Sequence, residues 1–467
     1  MSGPVPPVIS SAISRHEFSE LMRAAELSPG GARVAVAVSG GADSMALVLL
    51  ACDWAGVGVG DGASGGPDAV LTALTVDHGL RPNSVAEAET VGRWCAGLGV
   101  AHRILTWEDD KPEMGIQAAA RKARYRLLAD WCRVSGYTDL LVGHTQNDQA
   151  ETFLFRMSRG SGVDGLAAMA LVTDRDGLRI VRPLLTVPRT RVEATALAVS
   201  QTWIEDPSNA DRRYARVRIR QKLADLEAHG VSTAKIADTA RVFGHIRAAK
   251  EAAVSRLAAE IAALFPESHA EIEREPLRLA DRETAQGLVT ALLAAVGGRD
   301  YPPRREQTRP LMEDLIGDGG FRARTLGNCV VALRHDKITI RREHGTIRDI
   351  SPVVAGDRIV WDGRFAIEFG RNAILGTADF ELRALGETGW QDIASMVREN
   401  AADGGIRDKI RGIPGPVRYA LPAVWQGETV VEVPHLNFCA KQIVEKIVKT
   451  AQLRRRTPIL QRPFWVA

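Results

Sequence analysis

Apolar positions along this chain change rhythm repeatedly. Unbroken or alternating apolar runs at residues 34–38, 70–76, 102–107 and 139–142 predict strands, the first of the kind buried on both faces of a parallel sheet. Helical spacing fills the intervals. It places Phe18, Leu21, Met22 and Ala25 on one face of a helix over 16–27 that covers an edge of the sheet, and it recurs at 44–50, 84–98, 117–134 and 147–157. Ser84 with Glu87 three residues on reads as a capping box for the helix at 84–98. Strands alternating with helices of this length imply an α/β fold, a doubly wound parallel sheet with right-handed crossovers.

Beyond residue 160 the pattern changes. A short strand at 179–182 precedes a helix at 188–201, with Pro188 in its first turn. A basic helix follows with Arg212, Arg213, Arg216, Arg218, Arg220 and Lys222. Ala-rich helical patterns at 232–264, 283–295 and 305–315 lead to short strands at 322–329, 330–334 and 337–342. From residue 350 the chain is β-rich, with strands at 358–361, 365–369 and 429–433. The expected division is 1–221 as the catalytic domain, 222–345 as an α-rich middle domain and 346–467 as a small α+β domain. Residues 1–10 read as disordered and 56–68 as a flexible surface loop.

In a doubly wound sheet, ligands bind beyond the C-terminal ends of the strands. Ser39 and Asp43 follow the first strand, Asp77 and His78 the second, and His144 the fourth, so alternation alone gathers them at one crevice. The run Ser39-Gly40-Gly41-Ala42-Asp43-Ser44 turns a strand into a helix through glycines. Such a turn aims bare N–H groups and the positive end of a helix dipole at one point, which suits a phosphate. No Gly-Lys-Ser/Thr ending is present, so this is not the Lys-bearing phosphate loop, and Gly-x-Gly-x-x-Gly is absent here. Arg121 and Arg124 lie three apart on one helix face and can meet a phosphate together; Asp148 and Glu151 repeat that spacing with carboxylates. Taken alone, either pair also fits an ordinary solvated helix face.

Composition adds limits. A chain of 467 residues has room for two to four domains, and its apolar and charged fractions are those of a soluble globular protein. No apolar run approaches the ~20 residues of a spanning helix, and the N-terminus lacks a signal-peptide pattern, so no membrane partner and a cytoplasmic location are expected. The five cysteines are scattered without a Cys-x-x-Cys pair, which favours buried structural thiols over a cluster, zinc site or redox dithiol. A net charge of +3 does not argue for nucleic acid; local clusters at 212–222 and at Lys441, Lys446, Lys449, Arg454, Arg455 and Arg456 have the density for phosphate contacts.

The phosphate turn resembles the Ser-Gly-Gly-x-Asp-Ser loop of the PP-loop ATP-pyrophosphatase superfamily. With Asp77-His78-Gly79-Leu80-Arg81, Ala120-Arg121-x-x-Arg124-Tyr125, Gly143-His144-x-x-x-Asp148-Gln149-x-Glu151-Thr152, Arg159-Gly-Ser-Gly, Arg182-Pro183-Leu184-Leu185 and Glu205-Asp206-x-Ser208-Asn209 in this order, the chain resembles the tRNA(Ile)-lysidine synthase family over residues 34–221. The likeness continues more faintly through Thr325-Leu-Gly and Arg418-x-x-Leu421-Pro422. It implies an adenine nucleotide alpha hydrolase-like fold and a ligase using ATP and Mg²⁺. That ligase adenylates C2 of the wobble cytidine in the CAU anticodon of tRNA(Ile), and free L-lysine then displaces AMP to give lysidine.

On that resemblance Ser39, Gly40, Gly41, Ala42, Asp43 and Ser44, with His144 and Arg124, bind the nucleotide. Asp43, Asp148, Glu151 and Arg121 carry the chemistry, and Asp43 and Asp148 hold Mg²⁺. Two positions depart from the family: Asn147 stands where an aspartate is common, and Val217 where asparagine is. Two rivals are a tRNA 2-thiolase of the same superfamily, which the isolated cysteines disfavour, and a non-catalytic ATP-binding module. The oligomeric state is left open, a homodimer included.

Overall fold

The computed structural model describes residues 11–57, 69–112, 114–175, 177–205, 215–299, 301–371, 380–399, 404–440, 443, 446–454 and 464–467. The segment expected to be disordered at 1–10 and residues 58–68 of the loop expected at 56–68 lie outside them, as do Asp206, Ser208, Asn209, Arg212, Arg213, Lys441, Arg455 and Arg456. The chain forms two compact units, one of residues 1–248 with 464–467, the other of residues 249–463.

The first unit runs α1 (Arg15–Ala24), β1 (Ala32–Ala37), α2 (Ala42–Ala55), β2 (Ala69–Asp77), α3 (Ser84–Gly97), β3 (Ala101–Thr106) and α4 (Ile116–Val134). It continues through β4 (Asp139–Val142), α5 (Gln146–Met157), α6 (Val163–Leu166), β5 (Val172–Arg175), β6 (Leu178–Val181), α7 (Arg189–Ala198), α8 (Ala215–Ala228) and the start of α9 (Thr233–Ile261). The sheet order is β3-β2-β1-β4-β6-β5. The first five of these pair in parallel and β5 pairs antiparallel to β6, so the sheet is mixed and mostly parallel.

Alternation along β1 sets the two layers. Val34 and Val36 enter a core with α1, α2, α3 and α7, through Phe18, Met22, Leu47, Val91 and Val192. Ala35 enters a second core on the other face with Leu128 and Cys132 of α4. Helix α1 packs on α2. The capping box expected at Ser84 does not form: Asn83 occupies the N-cap without a side-chain bond, and the Glu87 carboxylate pairs with Arg81 at 2.7 Å. Helices α8 and α9 pack on α5 through Ala150, Phe153, Leu223, Ile236 and Ala240.

The second unit contains more strand than the sequence pattern predicted. Following α9 come β7 (Ala262–Phe265), β8 (His269–Glu273), α10 (Arg274–Leu279), α11 (Arg282–Gly297), α12 (Arg305–Ile316), β9 (Arg324–Leu326), β10 (Cys329–Arg334) and β11 (Lys337–Arg342). Their strands form one antiparallel sheet, β7-β8-β11-β10-β9, where short strands were expected only at 322–342. The rest comprises β12 (Ser351–Pro352), β13 (Arg358–Trp361), β14 (Phe365–Phe369), β15 (Phe380–Ala384), α13 (Gly386–Glu399), α14 (Gly404–Gly412), α15 (Gly415–Arg418), β16 (Pro422–Gln426), β17 (Thr429–Val433), β18 (Phe438–Cys439) and β19 (Val448–Leu453). These strands form the sheets β12-β15-β16-β17-β18 and β13-β14-β19. Asp362 holds two buried arginines there, Arg342 at 2.7 Å and Arg364 at 2.5 Å.

Candidate active site

The strand order reverses at β1: the chain moves outward through β2 and β3, then returns to place β4 on the other side of β1. The loops after β1 and β4 therefore flank the switch point where a crevice opens. Val38 leaves β1, Gly40 adopts φ +84°, and Gly41 caps α2 with extended backbone and no side-chain bond. The Ser44 and Met45 N–H groups both donate to the Gly41 carbonyl, at 3.1 and 3.0 Å, so the N–H groups that the helix start leaves without intrahelical partners are those before Ser44, at the crevice end of the sheet. Inside the turn, the Ser39 N–H donates to Ser44 Oγ at 3.2 Å and Ser44 Oγ donates to the Gly41 carbonyl at 2.9 Å.

Two neighbours hold this loop in shape. The Ile204 N–H donates to the Gly40 carbonyl at 2.9 Å, and a Cβ on Gly40 would come within 2.9 Å of both Ile204 and Val91. From β4, Gly143 lies so close that a Cβ there would stand 3.0 Å from the Asp43 carbonyl oxygen. Both glycines are required, the first by its backbone angle and the second by close approach.

Asp43, the second residue of α2, is a half-buried carboxylate whose Oδ1 has no hydrogen-bond partner, with Arg189 Nε 3.6 Å away. Burial pushes its pKa up to about 6; Arg189 opposes that rise, and Asp148 and Glu193 add to it. Asp148 is the third residue of α5, and its Oδ2 accepts from the Thr145 N–H at 2.9 Å and the Thr145 hydroxyl at 3.1 Å. One of its oxygens is thereby spent on capping α5, which keeps the carboxylate aimed at the N-terminal end of the helix. Glu151 is buried and meets Arg220 of α8, with Arg220 Nε at 2.7 Å from Oε1. Glu151 thus faces protein, whereas Asp148 is only half-buried.

His144 sits at the end of β4 with Nδ1 buried and unpartnered. Burial drives its pKa down to about 3 against the pull of Asp148, with Arg182, Arg121 and Arg216 adding to the fall. It is a neutral ring at working pH, able to donate or accept one hydrogen bond but not to carry charge. Asp77 is structural: its Oδ1 accepts from the Gly79 N–H at 2.8 Å and shapes the turn that presents His78. His78 Nε2 in turn accepts from Arg124, at 3.1 and 3.2 Å. Arg121 stacks over Tyr125, its Cζ 5.2 Å from the ring centroid.

Residues 12–227 match the PP-loop domain family. Over 402 residues the chain is 35 % identical to a tRNA(Ile)-lysidine synthase of Ruegeria pomeroyi, covering 86 % of this chain and 88 % of that one. It is 38 % identical over 354 residues to the tRNA(Ile)-lysidine synthase of Rhodopseudomonas palustris (73 % and 97 % covered) and 32 % over 414 residues to that of Wolbachia pipientis wMel (88 % and 90 %). The chain belongs to the tRNA(Ile)-lysidine synthase family.

The loop Ser39 to Ser44 lies inside the matched PP-loop domain, and it opens α2 with a glycine N-cap that carries no side-chain bond. The residue Asn147 that departs from the family pattern has a structural role, since its Oδ1 accepts from the Arg189 N–H at 3.0 Å and fixes the start of α7. Val217 is buried on α8, between exposed Arg216 and Arg218. For Mg²⁺ the available donors are Asp43 Oδ1, which has no hydrogen bond and lies 3.6 Å from Arg189 Nε, and the Asp148 oxygen outside the cap. Among the described residues no cluster of three or more His, Cys, Asp or Glu stands together. Two carboxylate oxygens next to a phosphate loop still fit an ion that keeps its waters and takes the rest of its shell from substrate phosphates.

Sequence reasoning missed Ile204 and Arg189, and it placed Arg220 in a basic helix without its partner Glu151. Each lies more than thirty residues from the group it serves, and nothing in local spacing marks it. The tail cluster also changes meaning: Lys449 pairs with Glu368 at 2.5 Å, and Arg454 is buried with its N–H on the Arg364 carbonyl. Arg454 is therefore not a phosphate contact. No helix among the described residues is long and apolar enough to cross a membrane.

Proposed function

We propose that this chain converts the wobble cytidine of the CAU-anticodon tRNA(Ile) to lysidine at the crevice between the β1 and β4 loops. The cytidine C2 oxygen attacks the α-phosphorus of ATP and pyrophosphate leaves. The lysine ε-amine then attacks C2, AMP departs with the oxygen, and one amine proton is lost. The observation that carries this reading is Asp43: a carboxylate at the mouth of a helix N-terminus, near Asp148, whose Oδ1 has no hydrogen bond and only Arg189 Nε at 3.6 Å.

Each residue has a distinct role in this reading. The N–H groups at Gly41 to Asp43 and the Ser39 hydroxyl hold the leaving pyrophosphate, where developing charge is stabilised without reorganisation. Asp43 and Asp148 would hold Mg²⁺, which supplies neutralisation of phosphate charge when bound. Arg121 and Arg124 meet phosphate from α4, and neutral His144 positions nucleotide. Asp148 and Glu151 orient the lysine ammonium and accept its proton, with Arg220 keeping Glu151 in place. The domains at 222–345 and 346–467 are assigned to the RNA, joined by exposed Arg216 and Arg218 of α8.

The thiolase alternative finds no support in the cysteines. All five are free and dispersed, and burial pushes Cys52, Cys132 and Cys329 up to about 12, far from the thiolate character sulfur delivery needs. Incubation with labelled lysine, ATP, Mg²⁺ and the CAU-anticodon transcript should put label into the RNA and release AMP and pyrophosphate. Folded protein that leaves the RNA unlabelled would sink the assignment.

A further inference from the structure

Four guanidinium groups converge on Tyr125 without a carboxylate among them. Arg121 and Arg175 each place Cζ 5.2 Å from the Tyr125 ring centroid, one from α4 and the other from the antiparallel strand β5. Arg124, one position before Tyr125, bonds the neutral His78 ring. Arg182 lies beneath them at 8 % exposure. Its Nη1 donates to the Ala170 carbonyl at 2.9 Å and to the Thr173 hydroxyl at 3.0 Å, yet its Nε is buried with no partner. Among the described residues none of the four forms an ion pair, although most other arginines of this unit do.

Like charges gathered against one ring repel, and Arg121 and Arg175 both act on Arg182 in this sense. An aromatic face and two neutral acceptors offset part of the cost, but neither removes the charge. Such an arrangement is stable in use when an anion joins it. The ligand class is restricted by the donor set: several planar forks aimed from two elements match the oxygens of a phosphate better than a single carboxylate.

We propose that Arg175 and Arg182, carried by the β5–β6 hairpin, complete with Arg121 and Arg124 a phosphate subsite beside the PP-loop crevice. The inference deepens the proposed function and depends on it for the source of the phosphate, which is either the pyrophosphate portion of the nucleotide or a backbone phosphate of the RNA. It also explains the motif beginning at Arg182. The arginine is a buried donor, and the Pro-Leu-Leu that follows anchors it, with Leu184 and Leu185 fully buried.

The test uses the full chain and the exposed member, Arg175, whose loss leaves the core intact. Thermal melting is followed against inorganic pyrophosphate, and binding of the CAU-anticodon transcript is measured across a NaCl series, for wild type, Arg175→Ala, Arg175→Lys and Arg175→Glu. A pyrophosphate ligand predicts roughly five-fold weaker pyrophosphate binding in Arg175→Ala, partial rescue in Arg175→Lys and unchanged RNA affinity. An RNA phosphate predicts a similar loss in RNA affinity, with the salt slope reduced by about 1 and pyrophosphate binding unchanged. Either pattern supports the subsite and names its occupant. Folded Arg175→Ala and Arg175→Glu proteins that match wild type in both assays would overturn it. Wild-type protein that binds both probes in this way but transfers no lysine would remove the proposed reaction and leave the subsite standing.

Discussion

Asp43 is held in a state that the free enzyme resists. Its carboxyl sits near pKa 6 in the folded chain against 3.8 as the ordinary value, because burial disfavours the charge more than Arg189 favours it. The folded state therefore binds this proton more tightly than the unfolded one. Its contribution to stability is fully present below about pH 4 and is lost as pH rises through about 6. Asp43→Asn should stabilise the unliganded protein near pH 8 by ~1–2 kcal/mol, with the gain fading toward pH 4, as read from melting temperature across pH. The same substitution should lower pyrophosphate release at least ~100-fold, since a neutral amide cannot offset phosphate charge through a cation. In wild type, kcat/KM for ATP should rise with pH through about 6 as Asp43 ionises. His144, already neutral, contributes no step in that range, and its ring resonances should not titrate between about pH 5 and 8.

The elements make these residues a site by contact between loops. Gly143 lets the β4 turn lie against the Asp43 backbone. In Gly143→Ala the added methyl must push the PP-loop by a few tenths of an ångström, so adenylation should fall ~10–100-fold while melting changes little. Between α5 and α8, Arg220→Ala leaves the buried Glu151 without its cation. A loss of ~1–3 kcal/mol in urea unfolding is expected, less than for a fully buried pair because Arg220 is 40 % exposed on its side chain. The parallel strands and the ordered motifs were legible because apolar runs and glycine turns are local signals. The strand β5 was not: four residues, Val172 to Arg175, half of them charged, carry no periodicity. Likewise β7 continues the Ala-rich pattern of α9, and only the sheet it joins distinguishes it from another helical turn. Acidic site residues could be found by spacing, whereas their cations, Arg189 and Arg220, enter from helices whose approach is decided by packing.

At the scale of the whole molecule, the first unit is not continuous in sequence. Residues 464–467 belong to it: the Leu171 N–H donates to the Trp465 carbonyl at 2.9 Å, Trp465 and Ala467 pack on the core that holds β1 and α2, and Arg247 stacks on Phe464 at 4.5 Å. Removing residues 464–467 should lower the melting temperature of this unit by a few degrees and raise hydrogen exchange at Leu171, while the second unit keeps its protection. Leu171 and Trp465 are roughly 300 residues apart along the chain, so this contact closes a very long loop. On the ribosome, the PP-loop sheet can emerge and pair its strands long before Trp465 is synthesised. The catalytic core must then wait, folded but with one apolar edge uncovered, until the entire second unit has been translated. Chaperone engagement during that interval should concentrate on the Leu171 edge, and a translational pause late in the message would prolong it.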